Sequence, residues 1–274
     1  MKKLVLLSLL FASLLISQDN GFAFYSGPLN FKPLVANTFE PRVGLHWHSN
    51  NNRLRMDIGN SVDLVQYTFD DTRRLLTIGS DFFTYTLLRG EKNFHFPVDA
   101  VDYFFGFNVN YRDTAEAGVI ATRLRLSHIS AHFVDGHYNG PTGIWKDGLN
   151  PRVYSREFFD LTVGYEPGDV VRYYLGAVYL WHVDPTSIPN VLLYAGTEVH
   201  AQLMKATNLY AAYQFTITGL RPRHELQMGI KIGNWNGRGT QLYFIYHNGN
   251  SIHGEYYDQK DEYSGIGFNI DFSI

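Results

Sequence analysis

Arg123-Leu124-Arg125-Leu126-Ser127-His128-Ile129-Ser130-Ala131-His132 divides into two sets when read with the period of two that a strand imposes. Arg123, Arg125 and Ser127 fall on one face, and Leu124, Leu126, His128, Ser130 and His132 on the other. In a soluble sandwich the leucine face would be an ordinary core face. In a membrane barrel it is the lipid face, where a His-x-Ser-x-His row is costly. The rest of the chain decides between the two.

Residues 1–17 carry Lys2 and Lys3, a largely apolar run from Leu4 to Ile16, and Ser17. The run is shorter than the roughly 20 residues a helix needs to cross a bilayer, so it reads as a secretory signal peptide. Residues 1–23 are assigned to that peptide, with cleavage after Ser17 or after Ala23. Nothing later is continuously apolar for long enough to be a spanning helix. The chain has no cysteine, so an exported protein of this size holds together without disulfides or thiolate metal sites. A net charge of −3, with both signs scattered along the chain, offers no basic patch and argues against nucleic acid as a partner. Aromatic residues make up 16% of the chain and charged residues only 18%, a balance suited to rings sitting in belts at two membrane interfaces. That composition also suits a secreted sandwich or a carbohydrate-binding jelly roll.

The order of turns separates these possibilities. After a segment assigned to the periplasm, residues 24–41, alternating stretches follow one another over 42–274. They run about 42–49, 54–67, 73–87, 99–111, 119–133, 155–165, 170–182, 191–203, 208–217, 223–233, 240–247 and 263–273. An even count, and lengths of about ten residues, are what tilted membrane-crossing strands require. Connections after even-numbered stretches are tight, as in Asp70-Asp71-Thr72, Arg112 to Ala117, Glu166-Pro167-Gly168-Asp169 and Lys205-Ala206-Thr207. Those after odd-numbered stretches include the three longest, Arg89 to Val98, Val134 to Tyr154 and Asn248 to Glu262. Short turns on one side and long loops on the other are the habit of bacterial outer-membrane barrels, with both termini in the periplasm. The last stretch, Gly265-Ile266-Gly267-Phe268-Asn269-Ile270-Asp271-Phe272-Ser273-Ile274, resembles the terminal strand that the barrel assembly machinery recognises. It departs in ending on Ile274, with Phe272 two positions inside. The predicted fold is an all-β, twelve-stranded, up-and-down transmembrane barrel in the outer membrane of a Gram-negative bacterium.

Charge parity then assigns the faces. Asp102, Arg123, Arg125, Asp160, Arg172, Glu198, His200, Lys231 and Asp271 are placed in the lumen, because Arg or Lys facing lipid at mid-depth costs roughly 2–4 kcal/mol. Arg123 and Arg125 are expected to pair with Asp160. The opposite face collects Tyr103, Phe105 and Phe107, Tyr173, Leu175 and Tyr179, Ile230 and Ile232, and Phe268 and Ile270. His128, Ser130 and His132 therefore point to lipid near the outer leaflet, and Glu157, Phe159, Leu161 and Val163 of the next strand do the same. A serine, a histidine and a carboxylate on adjoining strands are the parts of a hydrolase triad: Ser130 as nucleophile, His128 as base, Glu157 as the acid that orients the ring. Residues two apart on a strand lie about 7 Å apart at Cα, a gap that rotamers can close. His132 is a candidate for binding a headgroup phosphate. Asn139, in the following loop, is a candidate donor to an oxyanion.

His128, Ser130 and Glu157 match lipid A 3-O-deacylases in residue type, order and face, and that resemblance implies an enzyme that removes an acyl chain from an outer-leaflet lipid. Outer-membrane phospholipase A, also twelve-stranded with His-x-Ser, fits less well. Its Asn-Arg pair has only Asn150 before Pro151-Arg152 as a counterpart here, and no clear ligand set stands for its calcium. No cofactor is expected. Across nearly the whole mature chain, Pro33-Leu34-Val35-Ala36-Asn37, Asp99 to Gly106, Arg123 to His132, Ser155-Arg156-Glu157 and Gly265-Ile266-Gly267-Phe268 resemble a family of bacterial outer-membrane barrels catalogued as a domain of unknown function. In that family a Gly-Asp-Glu run usually follows the His-Ser-His stretch, whereas this chain has Phe133-Val134-Asp135-Gly136-His137.

The plainer alternatives are specific. His128 and His132 as headgroup-level interface residues, Glu157 as a loop-edge charge and Trp181 as a belt residue together describe a non-enzymatic structural or transport barrel, whose lumen charges matter and whose lipid face does not. His46 and His48 share a face in His46-Trp47-His48 but lack a third ligand, so no metal site is assigned. Outer-membrane lipids are the expected partners of either form.

Overall fold

The computed structural model describes residues 21–24, 27–69 and 73–272. The signal-peptide assignment up to Asn20, the Asp70-Asp71-Thr72 turn and the terminal Ser273-Ile274 lie outside the described residues. Twelve antiparallel strands follow in chain order: β1 Val43–His48, β2 Arg53–Thr68, β3 Arg74–Arg89, β4 Val98–Ala115, β5 Gly118–Phe133, β6 Ser155–Glu166, β7 Val171–Asp184, β8 Val191–Met204, β9 Thr207–Ile217, β10 Arg223–Gly233, β11 Gly239–Asn250 and β12 Lys260–Asp271. Each pairs with its neighbours in sequence, and β12 pairs with β1, with Phe268 opposite Leu45. The sheet is therefore closed and leaves no long edge to be managed. A short strand, Phe22–Phe24, extends β2 where β1 is too short to reach, pairing Ala23 with Gln66.

Alternation along the strands runs as parity demands. On β5, Arg123, Arg125, Ser127, Ile129 and Ala131 are buried, while Leu124 and Leu126 are exposed on the outside of the wall. On β4, Tyr103, Phe105 and Phe107 face out and Asp102, Phe104 and Asn108 face in. The outside is thus an apolar surface of the kind a bilayer covers, and the inside is where polar groups can be satisfied. Two-residue connections close one end, as at Glu116-Ala117 and Lys205-Ala206, and Gly118 meets the first of them at a φ of 126°, which favours glycine. Long connections gather at the other end, after β3, β5 and β11. Among the described residues no helix is long and apolar enough to cross a membrane.

The lumen differs from expectation in one respect. The segment assigned to the periplasm folds into the barrel, with Asn30, Phe31, Leu34, Ala36, Asn37, Thr38 and Glu40 buried. Backbone and side chains of this plug are tied to opposite walls. Arg172 donates to the Lys32 and Pro33 carbonyls at 2.8 and 2.7 Å, Val35 N–H donates to Glu198 at 2.7 Å, and Arg55 donates to the Thr38 carbonyl at 2.7 Å. Glu40 takes both expected lumen cations: Arg123 at 3.0 and 2.5 Å, and Arg125 at 2.8 Å. Arg125 also donates to Asp81 at 2.9 Å, and its approach to Asp160 is only 4.0 Å, so Asp160 is a secondary partner. Asp160 instead accepts from Tyr194 Oη at 2.7 Å. Arg123 and Arg125, two positions apart on the inward face of β5, share Glu40, and Asp160 is occupied by the Tyr194 hydroxyl.

Packing inside is dense enough to count as a core. Phe83, Tyr85, Phe104, Ile129, Phe158, Leu180 and Ile252 form one cluster, and Phe31 and Leu34 of the plug pack with Ala121, Tyr174 and Tyr194 in another. At the long-loop end, the β11–β12 connection turns inward. Asp102 accepts from His253 at 2.9 Å and from Gly254 N–H at 2.8 Å, so the loop caps the lumen. Burial raises the pKa of Glu255 in this loop against the N–H groups of Arg152 and Phe133, which it accepts at 3.3 Å each. His46 and His48 face the lumen, where His48 stacks on Tyr263 at 3.7 Å between ring centres.

Replacing Glu40 by alanine removes the carboxylate that Arg123 bonds and leaves Arg125 with Asp81 alone, and losing one member of a buried charge pair typically costs about 3–5 kcal/mol. Glu40→Ala should lower the midpoint of heat-induced loss of the compact electrophoretic form in detergent, whereas Glu91→Ala, at an exposed ion pair, should leave it in place. An unchanged midpoint in Glu40→Ala would show that the plug is not an energetic part of the barrel.

Candidate active site on the outward face

The lumen pairs set what stands outside. With Arg123 and Arg125 anchored inward, His128, Ser130 and His132 fall on the outward side of β5 by parity. With Asp160 anchored inward, Glu157 falls on the outward side of β6. The two strands pair so that His128 is directly opposite Glu157 and Ser130 directly opposite Ser155. His128 Nδ1 donates to Glu157 Oε1 at 2.6 Å, a distance typical of a charge-assisted hydrogen bond. Both side chains are about a quarter exposed, 25% and 27%. The pair is shielded by neighbours yet reachable from outside the wall.

Holding Nδ1–H on the carboxylate fixes the imidazole tautomer and leaves Nε2 with its lone pair available. Ser130 lies two residues along the same face, opposite Ser155, and its hydroxyl makes no hydrogen bond to His128 in this structure. The neighbourhood is apolar and aromatic. The Phe105 ring, opposite His128 across β4, lies 4.9 Å from the imidazole, and Phe159 packs against Trp181 at 4.6 Å. Tyr103 is opposite Ser130 and 6.0 Å from the His132 ring. His132 is exposed on the same face, one step toward the long-loop end.

Asn139 is not brought to this group. It lies in a small hairpin within the β5–β6 loop, opposite Ile144, and its carboxamide oxygen accepts the Thr142 N–H of its own turn at 3.4 Å. Two further side chains join the site without having been singled out. Ser155 Oγ donates to Glu157 Oε1 at 3.0 Å, and Nδ1 of His182 on β7 bonds Glu157 Oε2. Ser155 could have been found by parity, two positions before Glu157. His182 could not, because straightforward alternation from Arg172 sends it into the lumen. No group of three or more His, Cys, Asp or Glu side chains suited to a metal ion occurs among the described residues.

Because the chain has no native cysteine, the register is directly testable. Directly opposite residues lie about 4.5–5.5 Å apart at Cα, within disulfide range, whereas diagonal neighbours lie about 7–8 Å apart. The double variant His128→Cys/Glu157→Cys should cross-link under mild oxidation, and Ser130→Cys/Glu157→Cys should not, read as a mobility or mass difference. Cross-linking of only the second pair would show a shifted β5–β6 register.

Comparison with other proteins agrees with this architecture. Residues 100–272 match the model of a family described as a protein of unknown function, DUF1207. No curated protein matches the chain. Among solved structures, outer membrane phospholipase A from Escherichia coli is similar, at 13% identity over 95% of this chain and 96% of that one, with a TM-score of 0.50. The β domain of the Bordetella autotransporter BrkA is similar at 14% identity, over 84% and 96% of the two chains, with a TM-score of 0.41. The toluene transporter TodX from Pseudomonas putida is similar at 9% identity, over 81% and 69%, with a TM-score of 0.41. The phospholipase likeness shows a shared fold, the closed outer-membrane type of barrel.

Proposed function

We propose that this chain, which belongs to the DUF1207 family, is an outer-membrane serine hydrolase that removes an acyl chain from an outer-leaflet lipid, either lipid A or a phospholipid. The observation that carries the reading is the 2.6 Å bond from His128 Nδ1 to Glu157 Oε1 on the outward face of the wall, with Ser130 two residues along. A serine beside an imidazole that is itself oriented by a carboxylate has the composition of a nucleophile, a base and an orienting acid.

In the reaction proposed, Ser130 Oγ attacks the ester carbonyl and its proton passes to His128 Nε2. The imidazolium, stabilised by Glu157, then protonates the departing alkoxide oxygen, leaving the acyl group on Ser130. Water, deprotonated by His128, attacks the acyl-enzyme and releases the fatty acid and the free serine. Substrate class follows from where the group stands. Leu126, Phe105 and Phe159 flank it on the exposed outer surface, so an ester arriving there does so from the acyl-chain side of a bilayer. His132, one step farther out, is assigned to the headgroup phosphate. As interface residues His128 and Glu157 would satisfy one another through the same bond, and it is the presence of Ser130 on the same face that favours the hydrolase reading over that one.

A transport reading has less to stand on, because the plug and the inward β11–β12 loop fill the lumen. The cavity of about 160 Å³ at the short-turn end is bounded by plug residues such as Lys32 and Glu40.

The test is hydrolysis by purified, refolded protein of lipopolysaccharide and of phosphatidylethanolamine in mixed micelles, with released fatty acid measured by mass spectrometry. Ser130→Ala should reduce release by roughly 10⁴-fold or more, and Glu157→Gln by on the order of 10²–10⁴-fold, both with the compact heat-modifiable form intact. Full activity in Ser130→Ala overturns the assignment.

A further inference from the structure

Glu157 has a second carboxylate oxygen, and a separate irregularity of the wall delivers a side chain to it. Strand β7 pairs with β6 in simple register up to Leu180 opposite Phe158; the next pair is His182 opposite Glu157, with Trp181 looped out as a bulge. Without the extra residue, Trp181 would stand opposite Glu157, and His182 would turn inward beside Arg156. With it, Trp181 and His182 are both exposed on the outside, and His182 Nδ1 bonds Glu157 Oε2. Bulges re-aim side chains and are found beside active sites, and this one has that effect. Leu180 keeps its place in the lumen core at 1% exposure, so the bulge changes the outer face without disturbing the inner one.

A carboxylate held by one oxygen can still rotate about its terminal bond, which spoils the alignment of the oxygen that faces His128. Held on both, its plane is fixed. Glu157 is gripped from three strands: by His128 of β5 and Ser155 of β6 on Oε1, and by His182 of β7 on Oε2. We propose that His182 is a positioning residue for the hydrolysis described above, fixing the Glu157 carboxylate so that Oε1 keeps His128 in the tautomer and orientation that present Nε2 to Ser130. This inference rests on the hydrolase reading. His182 touches neither the serine nor, on this assignment, the scissile ester, and its side chain is 64% exposed, so replacing it removes little packing. Outer partners of this kind typically change activity by about 10- to 100-fold when lost.

The experiment uses the full chain in the same lipopolysaccharide and phosphatidylethanolamine assays, comparing wild type, Ser130→Ala, His182→Leu and His182→Asn. Leucine keeps bulk and removes the donor, while the asparagine amide nitrogen takes nearly the place of the imidazole Nδ1. The expected result is a kcat for His182→Leu lower by about 10- to 100-fold with KM within about twofold, and recovery to within about fivefold of wild type in His182→Asn. Wild-type kinetics in His182→Leu overturns the positioning role, as does a raised KM at unchanged kcat, which would make His182 a substrate contact. Failure of asparagine to rescue overturns it too. If wild type releases no more fatty acid than Ser130→Ala, the hydrolase reading falls and takes this one with it. If wild type is active, Ser130→Ala is inactive and His182→Leu is unimpaired, only the role of His182 falls.

Discussion

Glu40 sits inside the barrel between Arg123 and Arg125, and most of the architecture follows from the need to place a carboxylate there. All three side chains are almost wholly buried, at 1%, 3% and 1% exposure. Charges taken out of water are tolerated only when paired and hydrogen-bonded, and the two guanidiniums that β5 turns inward are paired by Glu40 together with Asp81 of the wall. Asp81 satisfies part of Arg125, and the remainder is met by drawing residues 28–42 into the lumen. Once there, the plug brings its own requirements, met from the surrounding wall by Arg172, Glu198 and Arg55, and by Glu225, which accepts from Thr38 Oγ1 at 2.5 Å. A barrel that might have been an open channel thus becomes a filled one, with polar groups paired inside and the apolar surface outside.

The same anchoring governs the outer face. Period-two geometry means that holding Arg125 inward holds His128 and Ser130 outward, and a slip of one residue would exchange the faces of the whole strand. On β6, Asp160 is fixed by Tyr194 within the lumen, which places Glu157 outside. The hydrogen bond between His128 and Glu157 is therefore set up from behind, by ion pairs on the other side of the wall. A wall one residue thick carries the ion pairs of its inner face and the His128–Glu157 pair of its outer face on alternate residues of the same strands. Catalysis at such a surface would gain rigidity from the sheet, with both backbones tied into closed ladders and little freedom to move apart.

Strand β7 shows how far a local irregularity can change this pattern. Up to Leu180 its alternation is regular; one looped-out tryptophan reverses the parity for the residues that follow. Without the bulge, His182 would be a lumen residue and Glu157 would face an indole. Trp181 itself remains on the outside, packed on Phe159, so the bulge adds an aromatic contact while it redirects the histidine. Three strands then converge on one carboxylate, an arrangement that needs every one of the intervening registers to be correct.

Alternation, turn chemistry and loop asymmetry were enough to read twelve strands, their boundaries to within a few residues, and the inward or outward sense of Arg123, Arg125, Asp102, Asp160 and Glu157. These depend on local periodicity and on the cost of a charge in lipid, both of which act residue by residue. The neighbourhood of His128 and Glu157 was legible for the same reason, since both parities were anchored by charges within a few positions. Beyond its reach were Glu40 as the partner of both arginines, the folding of residues 28–42 into the lumen, the retention of Asn139 in its own turn, and the arrival of His182 at Glu157. Each joins segments far apart in the chain, and none leaves a periodic trace. A Pro-flanked glutamate in an irregular segment looks like any solvated loop charge, and a bulge is invisible to a rule that assumes strict alternation. By itself, the sequence determined which residues share a face, because that is decided by the two-residue repeat of an extended backbone. Only the tertiary structure decided which faces meet and what fills the space they enclose, because closure of the barrel, burial of the plug and the β6–β7 register are settled by pairing charges and hydrogen bonds across the lumen and between strands.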